Sequence, residues 1–343
     1  MKQTILKLAR LFGLFALSRR LTRRQLRILC YHGIWIGDAP HFGDCLFMGA
    51  DTFARRLDLL AREGYPLLGL DEAVDRLADG TLPDAAVVIT IDDAWYGISR
   101  HMLPALVERR MPATVYVTTY YSLAQRPVLN VLLNFLVARA QALPPVDELL
   151  PAGDRKTAPM GREACATELA ARVDALPTLD ARWEAVRRIA QKIGADLDSI
   201  DGGRWFHLMS VDELRAARAA GIDLQLHTHT HRMHEFDQER VRGEIERNRN
   251  ELARLPEVTP ASLSHFCYPS GVHAPVVYPV LEEMGVRSAT TTDFGLNRRG
   301  ENPFALKRIL DCQSMSDIEL EARLSGFWSL LMELRNRIGL RSA

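Results

Sequence analysis

The sequence predicts an α/β fold in which about seven parallel strands form a deformed β/α barrel. Short runs rich in β-branched residues alternate with helical patterns along most of the chain. The run "AAVVITID" at 85–92 is almost continuously apolar, which is typical of a strand buried on both faces. Repeated strand–helix–strand order implies parallel strands joined by right-handed crossovers. With about seven such units, a closed or nearly closed barrel is favoured over an open sheet.

The individual elements follow from their local patterns. The helix predicted at 210–221 begins with Ser210 as N-cap and has Glu213 three residues later, which is the pattern of a capping box. The other elements follow from the same apolar periodicities and from the glycines and prolines that end them. The predicted strands lie at 27–32, 85–92, 113–119, 222–226, 265–269 and 287–292, and the predicted helices at 51–65, 70–80, 101–110, 210–221, 238–255 and 275–285.

The stretch 120–208 interrupts this alternation. It carries helical patterns broken by Pro, Gly and Asp and no strand pattern, so it predicts a helical insertion that acts as a lid or accessory subdomain. The predicted organisation is a basic amphipathic N-terminal helix at 1–26, the first part of the barrel at 27–119, the insertion at 120–208, the second part of the barrel at 209–312 and C-terminal helices at 313–343.

Composition excludes some classes of protein. The formal net charge is +0, with 43 basic and 43 acidic residues, which argues against a general nucleic-acid binder. The five cysteines are scattered and show no CxxC spacing. We therefore expect neither a cysteine zinc cluster nor a disulfide framework, and this usage favours a reducing compartment.

The N-terminus differs from the rest of the chain, because it carries eight Lys and Arg residues before the first acid, Asp38. Its apolar core "LFGLFAL" is much shorter than the roughly 20 residues that a spanning helix needs. Ile5, Leu8, Phe12 and Phe15 fall on one helical face. This pattern predicts either a basic amphipathic helix on an anionic membrane surface or a helix packed on the protein's own core.

Two polar clusters follow predicted strands. "TIDD", ending in Asp92 and Asp93, places adjacent carboxylates at a strand end, where a divalent metal would relieve their repulsion. "HTHTHRMH" at 227–234 holds four histidines. Two imidazoles and one carboxylate are a normal ligand set for zinc with open positions for water and substrate. The spacing alone leaves open which histidines bind the metal.

A third motif, "FCYPSG" at 266–271, runs from a strand into Pro269 and Gly271, so the backbone turns sharply there. Such a turn can direct a backbone N–H toward a developing oxyanion. A plain turn at the end of a strand is the alternative interpretation.

Taken in order, these motifs resemble those of the polysaccharide deacetylase family, the NodB-type fold of carbohydrate esterase family 4. The resemblance runs from about residue 28 to residue 309. "ILCYHGI" is similar to the family's opening strand, "VVITIDDAWYG" to its T-F-D-D motif, "HTHTH" to its H-[ST]-x-x-H metal motif, "FCYPSG" to its F-x-Y-P-x-G form and "TTTDFGLNRRGENPFALKRI" to its closing segment.

The resemblance assigns expected roles to five residues. Asp93, His227 and His231 are expected to bind a divalent metal, most commonly Zn²⁺. Asp92 is the expected general base, and the N–H of Ser270 is expected to point into the oxyanion hole. The metal would polarise the acyl carbonyl and lower the pKa of a bound water.

The chain departs from the family pattern at two places. The late L-x-H histidine that often serves as general acid is absent, and "RILDCQ" stands there instead. His32 is the preferred substitute, although a structural histidine at the barrel mouth is the alternative; Asp311 suits the role less. The arginine of the R-x-P-Y form is also missing, with Cys267 near its place, and we expect Arg308 to orient Asp92 instead.

The predicted function is that of a metal-dependent hydrolase that removes the N-acetyl group of an amino sugar in a polysaccharide or a lipid-linked glycan precursor during surface-glycan biosynthesis. The expected partners are this N-acetylated glycan and, through the N-terminal helix, an anionic membrane, with no nucleic acid. The expected location is cytoplasmic, peripheral on the inner face of the membrane. Two alternatives remain: a weak or inactive relative that binds a glycan or a partner protein, and a deformylase or other amide hydrolase with the same machinery.

Overall fold

The computed structural model describes residues 2–151 and 160–337, and its centre is a closed barrel of seven parallel strands. The strands follow one another around the barrel in chain order. The last strand closes the ring against the first through the pairs Leu29–Ile309 and Cys30–Leu310. The predicted barrel is therefore confirmed. The strands are β1 (Arg27–Tyr31), β2 (Val87–Ile91), β3 (Thr114–Val117), β4 (Asp223–Leu226), β5 (His265–Cys267), β6 (Ser288–Phe294) and β7 (Leu306–Leu310).

Six of these strands coincide with predicted runs, and β7 is the exception. Its sequence "LKRIL" has two basic residues at its centre, which hide the apolar pattern of a buried strand. Arg308 is nevertheless fully buried in the barrel. A buried arginine needs a partner carboxylate, and the nearby Asp311 does not supply it because it pairs with Arg56 instead.

Helices cover the outside of the barrel, and the predicted capping box of Ser210 and Glu213 is present. The helices are α1 (Lys2–Leu11), α2 (Leu14–Leu21), α3 (Ala50–Arg62), α4 (Leu70–Asp79), α5 (Leu103–Glu108), α6 (Thr119–Ala124), α7 (Leu129–Arg139), α8 (Val146–Leu149), α9 (Arg162–Asp174), α10 (Leu179–Lys192), α11 (Leu197–Gly202), α12 (Val211–Ala219), α13 (Gln238–Leu252), α14 (Tyr278–Glu283), α15 (Asp317–Leu324) and α16 (Phe327–Arg337). Parts of the predicted terminal helices and of the insertion, at 1, 152–159 and 338–343, lie outside the described residues.

The described residues of 120–208 contain helices and no strand. Aromatic side chains connect this stretch to the mouth of the barrel. The ring of Phe206 lies 5.2 Å from that of Phe135 on α7 and 6.1 Å from that of Phe47, which itself lies 5.0 Å from Trp95 just after β2. The helices of this stretch therefore pack beside the carboxyl ends of the strands, where side chains of the predicted site lie.

The N-terminus forms two helices instead of the single one predicted, because the chain turns at Gly13 with φ of 73°. Leu6, Ala9 and Phe15 are buried against Ile318 and Ala322 of α15. Phe15 therefore does not share one face with Ile5, Leu8 and Phe12 as predicted, because Phe15 packs on the protein's own core and the other three are exposed. Among the described residues, no helix is long and apolar enough to cross a membrane.

One disulfide joins Cys45 to Cys312, a bond that the scattered spacing of the cysteines did not predict. The two residues are 267 positions apart, and only the closure of the barrel brings the loop before α3 next to the end of β7. Cys30, Cys165 and Cys267 are free and buried. Since disulfides are typical of oxidising compartments, the cysteines no longer support the expected reducing one.

Candidate metal and catalytic site

One carboxylate and two imidazoles meet at the carboxyl ends of β2 and β4. Asp93 Oδ1 lies 3.1 Å from His227 Nε2 and 3.2 Å from His231 Nε2. One ligand atom from each of the three residues lies within 4.8 Å of the other two. The structure thus brings together the three residues expected to bind the metal.

Parts of the backbone at this site adopt the left-handed conformation, which residues other than glycine rarely adopt. Asp93 has φ of 72°, Thr228 of 63° and His231 of 60°, all in the left-handed region. Such conformations cost about 1 kcal/mol or more each, persist where the surroundings enforce them, and cluster at functional sites. Two of the three residues of this cluster, Asp93 and His231, therefore have strained backbone.

The other two histidines of the cluster have different partners. His229 Nδ1 lies 2.9 Å from the hydroxyl of Thr119, and His234 Nε2 lies 3.4 Å from Glu244 Oε1. Only His227 and His231 direct a ring nitrogen at Asp93 among the described residues. The geometry therefore selects the same pair as the family motif, a choice that the spacing left open.

Two buried polar residues of helix α13, which the sequence analysis missed, form hydrogen bonds with the loop 227–234 that carries the histidines. Glu244 Oε2 accepts hydrogen bonds from the N–H and the hydroxyl of Thr230, at 2.7 and 2.9 Å. Asn248 Oδ1 accepts from the N–H of His227 at 3.0 Å, and its amide donates to Val117 O at 2.9 Å. Two polar residues four positions apart on the buried face of an amphipathic helix are the signal that could have identified them.

The tautomer of His227 follows from its second nitrogen. His227 Nδ1 lies 2.8 Å from Cys267 O. A carbonyl can only accept, so Nδ1 carries a proton in either state of the ring; Nε2 donates to Asp93 while the ring is protonated and offers its lone pair to a metal once the ring is neutral. Two such imidazole nitrogens and a carboxylate oxygen are the donor set typical of a catalytic zinc site with open positions. The residues present therefore fit a divalent metal.

A hydrogen bond to the second carboxylate oxygen of Asp93 holds this side chain in place for metal binding. Trp95 Nε1 donates to Asp93 Oδ2 at 2.8 Å, so the indole fixes the orientation of the carboxylate. Burial alone would raise the pKa of Asp93, but His231 and His227 outweigh it and hold that pKa well below its ordinary value. Asp93 is therefore an anion at neutral pH, as a metal ligand must be.

The neighbouring carboxylate, Asp92, is held by Arg308 as expected. The guanidinium donates to Oδ1 and Oδ2 of Asp92 in a two-point contact, with 2.7 Å for each bond. Burial disfavours the ionised form, but the charge of Arg308 prevails and lowers the pKa of Asp92 to about 2. The thiols of Cys30 and Cys267 lie 3.6 and 3.5 Å from Asp92 Oδ2.

His32 lies beside this carboxylate. Its Nε2 is 3.7 Å from Asp92 Oδ2, and its buried Nδ1 has no hydrogen-bond partner among the described residues. Burial lowers the pKa of His32 below its ordinary value, although Asp92 opposes the shift. The ring is therefore neutral at pH 7 and lies next to the carboxylate of Asp92, slightly beyond hydrogen-bond distance.

The predicted turn after β5 is present. Ser270 has φ of 57° and lies exposed within the short helical turn Pro269–Gly271. A Cβ on Gly271, whose φ is 68°, would lie 2.0 Å from the hydroxyl of Thr292, so the turn requires glycine there. The turn lies close to the metal ligands, because it begins two residues after Cys267, whose carbonyl oxygen orients His227.

Two further polar pairs bear on the missing general acid. His273, three residues after Ser270, has its Nε2 3.2 Å from Asp293 Oδ2 on β6, a pair that the sequence analysis missed because the partners lie on different segments of the chain. Asp311 is buried and paired with Arg56 at 2.9 Å. Its carboxylate is thus engaged in an ion pair, which disfavours it as an acid.

Comparison with known proteins agrees with the motifs. The polysaccharide deacetylase family model matches residues 179–289, which include His227, His231 and Ser270. No curated protein sequence matches the chain. The match confirms the resemblance to the polysaccharide deacetylase family that the sequence predicted.

Solved structures share the fold. The deacetylase PplD of Streptococcus pyogenes is 16% identical, with a TM-score of 0.57 and coverage of 88% of this chain and 99% of that one. IcaB of Ammonifex degensii is 19% identical, with a TM-score of 0.54 over 88% of this chain and 97% of that one. A polysaccharide deacetylase of Bacillus cereus is 15% identical, with a TM-score of 0.53 over 88% and 69%. At these identities the comparisons show a common fold.

Proposed function

We propose that this chain, a hydrolase of carbon–nitrogen bonds of the polysaccharide deacetylase type, uses a divalent metal, most commonly Zn²⁺, to remove the N-acyl group of an amino sugar in a polysaccharide or lipid-linked glycan precursor. The observation that carries the proposal is the convergence of Asp93, His227 and His231 beside the arginine-bound Asp92 at the barrel mouth. A protein that only bound glycans would need no buried carboxylate held ionised next to such a donor set.

The residues divide the chemistry between them. When bound, the metal would supply Lewis-acid polarisation of the acyl carbonyl. Asp92, ionised and oriented by Arg308, accepts a proton from the attacking water, and the N–H of Ser270 is assigned to the oxyanion. His32 receives that proton from Asp92, 3.7 Å away, and passes it to the departing nitrogen. This relay replaces the late histidine of the family.

Membrane contact is part of the proposal. Helices α1 and α2 expose a run of large apolar side chains: Ile5, Leu8, Leu11, Phe12, Leu14, Leu17 and Leu21. Lys7, Arg20 and Arg24 on the same segment are exposed and pair with no acid among the described residues. Apolar side chains flanked by unpaired basic ones match the surface of a membrane that contains anionic lipids.

The side of the membrane is a separate prediction. The cytoplasmic face was expected from the sequence, whereas the Cys45–Cys312 disulfide favours an oxidising compartment. Alkylation of intact cells before and after reduction distinguishes the two. Free thiols at Cys45 and Cys312 in cells support the cytoplasmic face, and protection of both until reduction contradicts it.

The experiment that tests the function compares the Zn²⁺-loaded wild type with Asp92→Asn on N-acylated amino-sugar oligomers, with release of free amine as the readout. We expect Asp92→Asn to lose at least about a hundredfold in kcat while it retains the metal. Equal rates in the two proteins would contradict the enzymatic role. Glycan binding by both proteins without turnover would support the alternative of a binding protein.

A further inference from the structure

A cavity of about 360 Å³ opens directly beside the candidate metal ligands, and Asp93 and His231 are part of its wall. We propose that this cavity binds an N-acyl chain longer than acetyl, so that the preferred substrate is an amine that carries a medium-length hydrocarbon acyl group. This inference rests on the proposed function, because it concerns the group attached to the carbonyl under attack.

The wall of the cavity is largely hydrocarbon. Its apolar residues include several from the 120–208 stretch and one from the segment after β2: Trp95, Val128, Leu129, Val131, Val173 and Leu208. Trp95 connects the two regions, because its Nε1 donates to Asp93 while its ring faces the cavity. The apolar surface thus begins at the reacting centre and continues into the insertion.

Most polar side chains in the wall are already engaged within the protein. The hydroxyl of Thr118 donates to His227 O, and that of Thr230 donates to Glu244. Asp174 pairs with Arg182 at 3.3 Å and with Arg232, and the side chain of Arg232 is 53% exposed, so this group lies toward solvent. A sugar ring placed here would bury hydroxyls with few free partners, which is costly.

The volume also favours a longer chain. An apolar cavity of about 150 Å³ is sufficient to bind benzene. The methyl of an acetyl group would therefore fill only a small part of a cavity of 360 Å³. The volume lies within the range of specific small-molecule sites, about 300–1,000 Å³.

The position of the cavity selects the acyl chain over the hydrocarbon of a lipid carrier. A chain attached to the carbonyl carbon enters a cavity that starts at Asp93 and His231. A carrier lipid is separated from the amide by at least the sugar and a phosphate, so its hydrocarbon would begin farther away. In the reaction, the oxygen of water bonds to the acyl carbon and the carbon–nitrogen bond breaks. One proton of water passes to nitrogen and the other leaves the carboxylic acid for solvent, which yields a carboxylate, an amine and a released proton.

The test is a series of glucosamines N-acylated with acetyl, butanoyl, hexanoyl and octanoyl groups, assayed by amine release with the Zn²⁺-loaded protein. We expect kcat/KM to rise about fourfold for each methylene that the cavity buries. A maximum at acetyl, or equal rates along the series, would overturn the inference and leave the proposed function intact. Failure to release amine from any member would instead count against the proposed function.

Two substitutions test whether the preference for longer acyl chains arises in this cavity. Ala170→Phe on α9 and Val131→Phe on α7 add an aromatic ring to its wall from different helices. Each should lower the octanoyl-to-acetyl ratio of kcat/KM at least tenfold. Ala164→Phe introduces the same ring on an exposed position of α9 and should keep the wild-type ratio. Unchanged ratios in both cavity variants would overturn the assignment.

Discussion

Arg308 on β7 donates two hydrogen bonds of 2.7 Å to Asp92 at the end of β2, although 216 positions separate the two residues. Both side chains are buried, and β1 stands between their strands in the barrel. The contact therefore crosses the barrel mouth and depends on its closure. It also explains why an arginine occupies a buried strand.

Loss of this contact is expected to impair catalysis more than binding. In Arg308→Lys the charge remains but the two-point geometry is lost, so we expect kcat to fall about a hundredfold with little change in KM. Because the pKa of Asp92 would rise, the acid limb of the pH–rate profile should move to higher pH. An unshifted profile with a lower kcat would mean that Arg308 acts only through the fold.

His32 is expected to carry the proton to the leaving nitrogen. His32→Gln should reduce kcat by about 10²–10⁴ while the bound metal is retained. His273→Gln serves as the matched control, because His273 also lies beside a carboxylate, Asp293, and is not one of the expected metal ligands. A larger loss in the His273 variant would transfer the role of acid to the His273–Asp293 pair.

The lowered pKa of His207 predicts that the free energy of unfolding depends on pH. Burial, with Arg204, lowers its pKa from 6.5 to about 4 in the folded chain. Since the unfolded chain binds the proton more tightly, stability is full above pH 6.5 and falls as the pH drops toward 4, by about 3 kcal/mol. Urea unfolding at pH 7 and pH 4.5 should show a smaller difference for His207→Gln. An identical difference would exclude His207 as the cause.

Membrane contact predicts a charge-dependent interaction with vesicles. Wild-type protein should float with vesicles that contain anionic lipid, and less with neutral ones. Replacement of Leu11 and Phe12, which are 78% and 76% exposed, by Asp should abolish flotation. Val107→Asp changes an exposed apolar residue on α5 and should have no effect. Flotation of the double variant would contradict the assigned surface.

The extent of prediction from sequence differs between local and long-range features. Asp92, Asp93 and the histidine cluster at 227–234 could be predicted because each follows a strand with a clear apolar pattern, and the resemblance to the family motif selected His227 and His231 within the cluster. The supporting contacts of Glu244 and Asn248, the Cys45–Cys312 disulfide and the His273–Asp293 pair could not, since each depends on which loops the closed barrel brings together. The cavity could not be predicted from the sequence either, because its wall combines the barrel mouth with helices of the 120–208 stretch, and no local sequence pattern indicates how these helices pack.

The bound metal tests the central claim most directly. The number of Zn²⁺ ions per chain and their affinity should be measured for the wild type, His231→Ala and His229→Ala, where His229 instead contacts Thr119. We expect a single ion in the wild type and in the His229 variant, and at least about a hundredfold weaker binding after loss of His231. Full metal binding by the His231 variant, or its loss only in the His229 variant, would contradict the site.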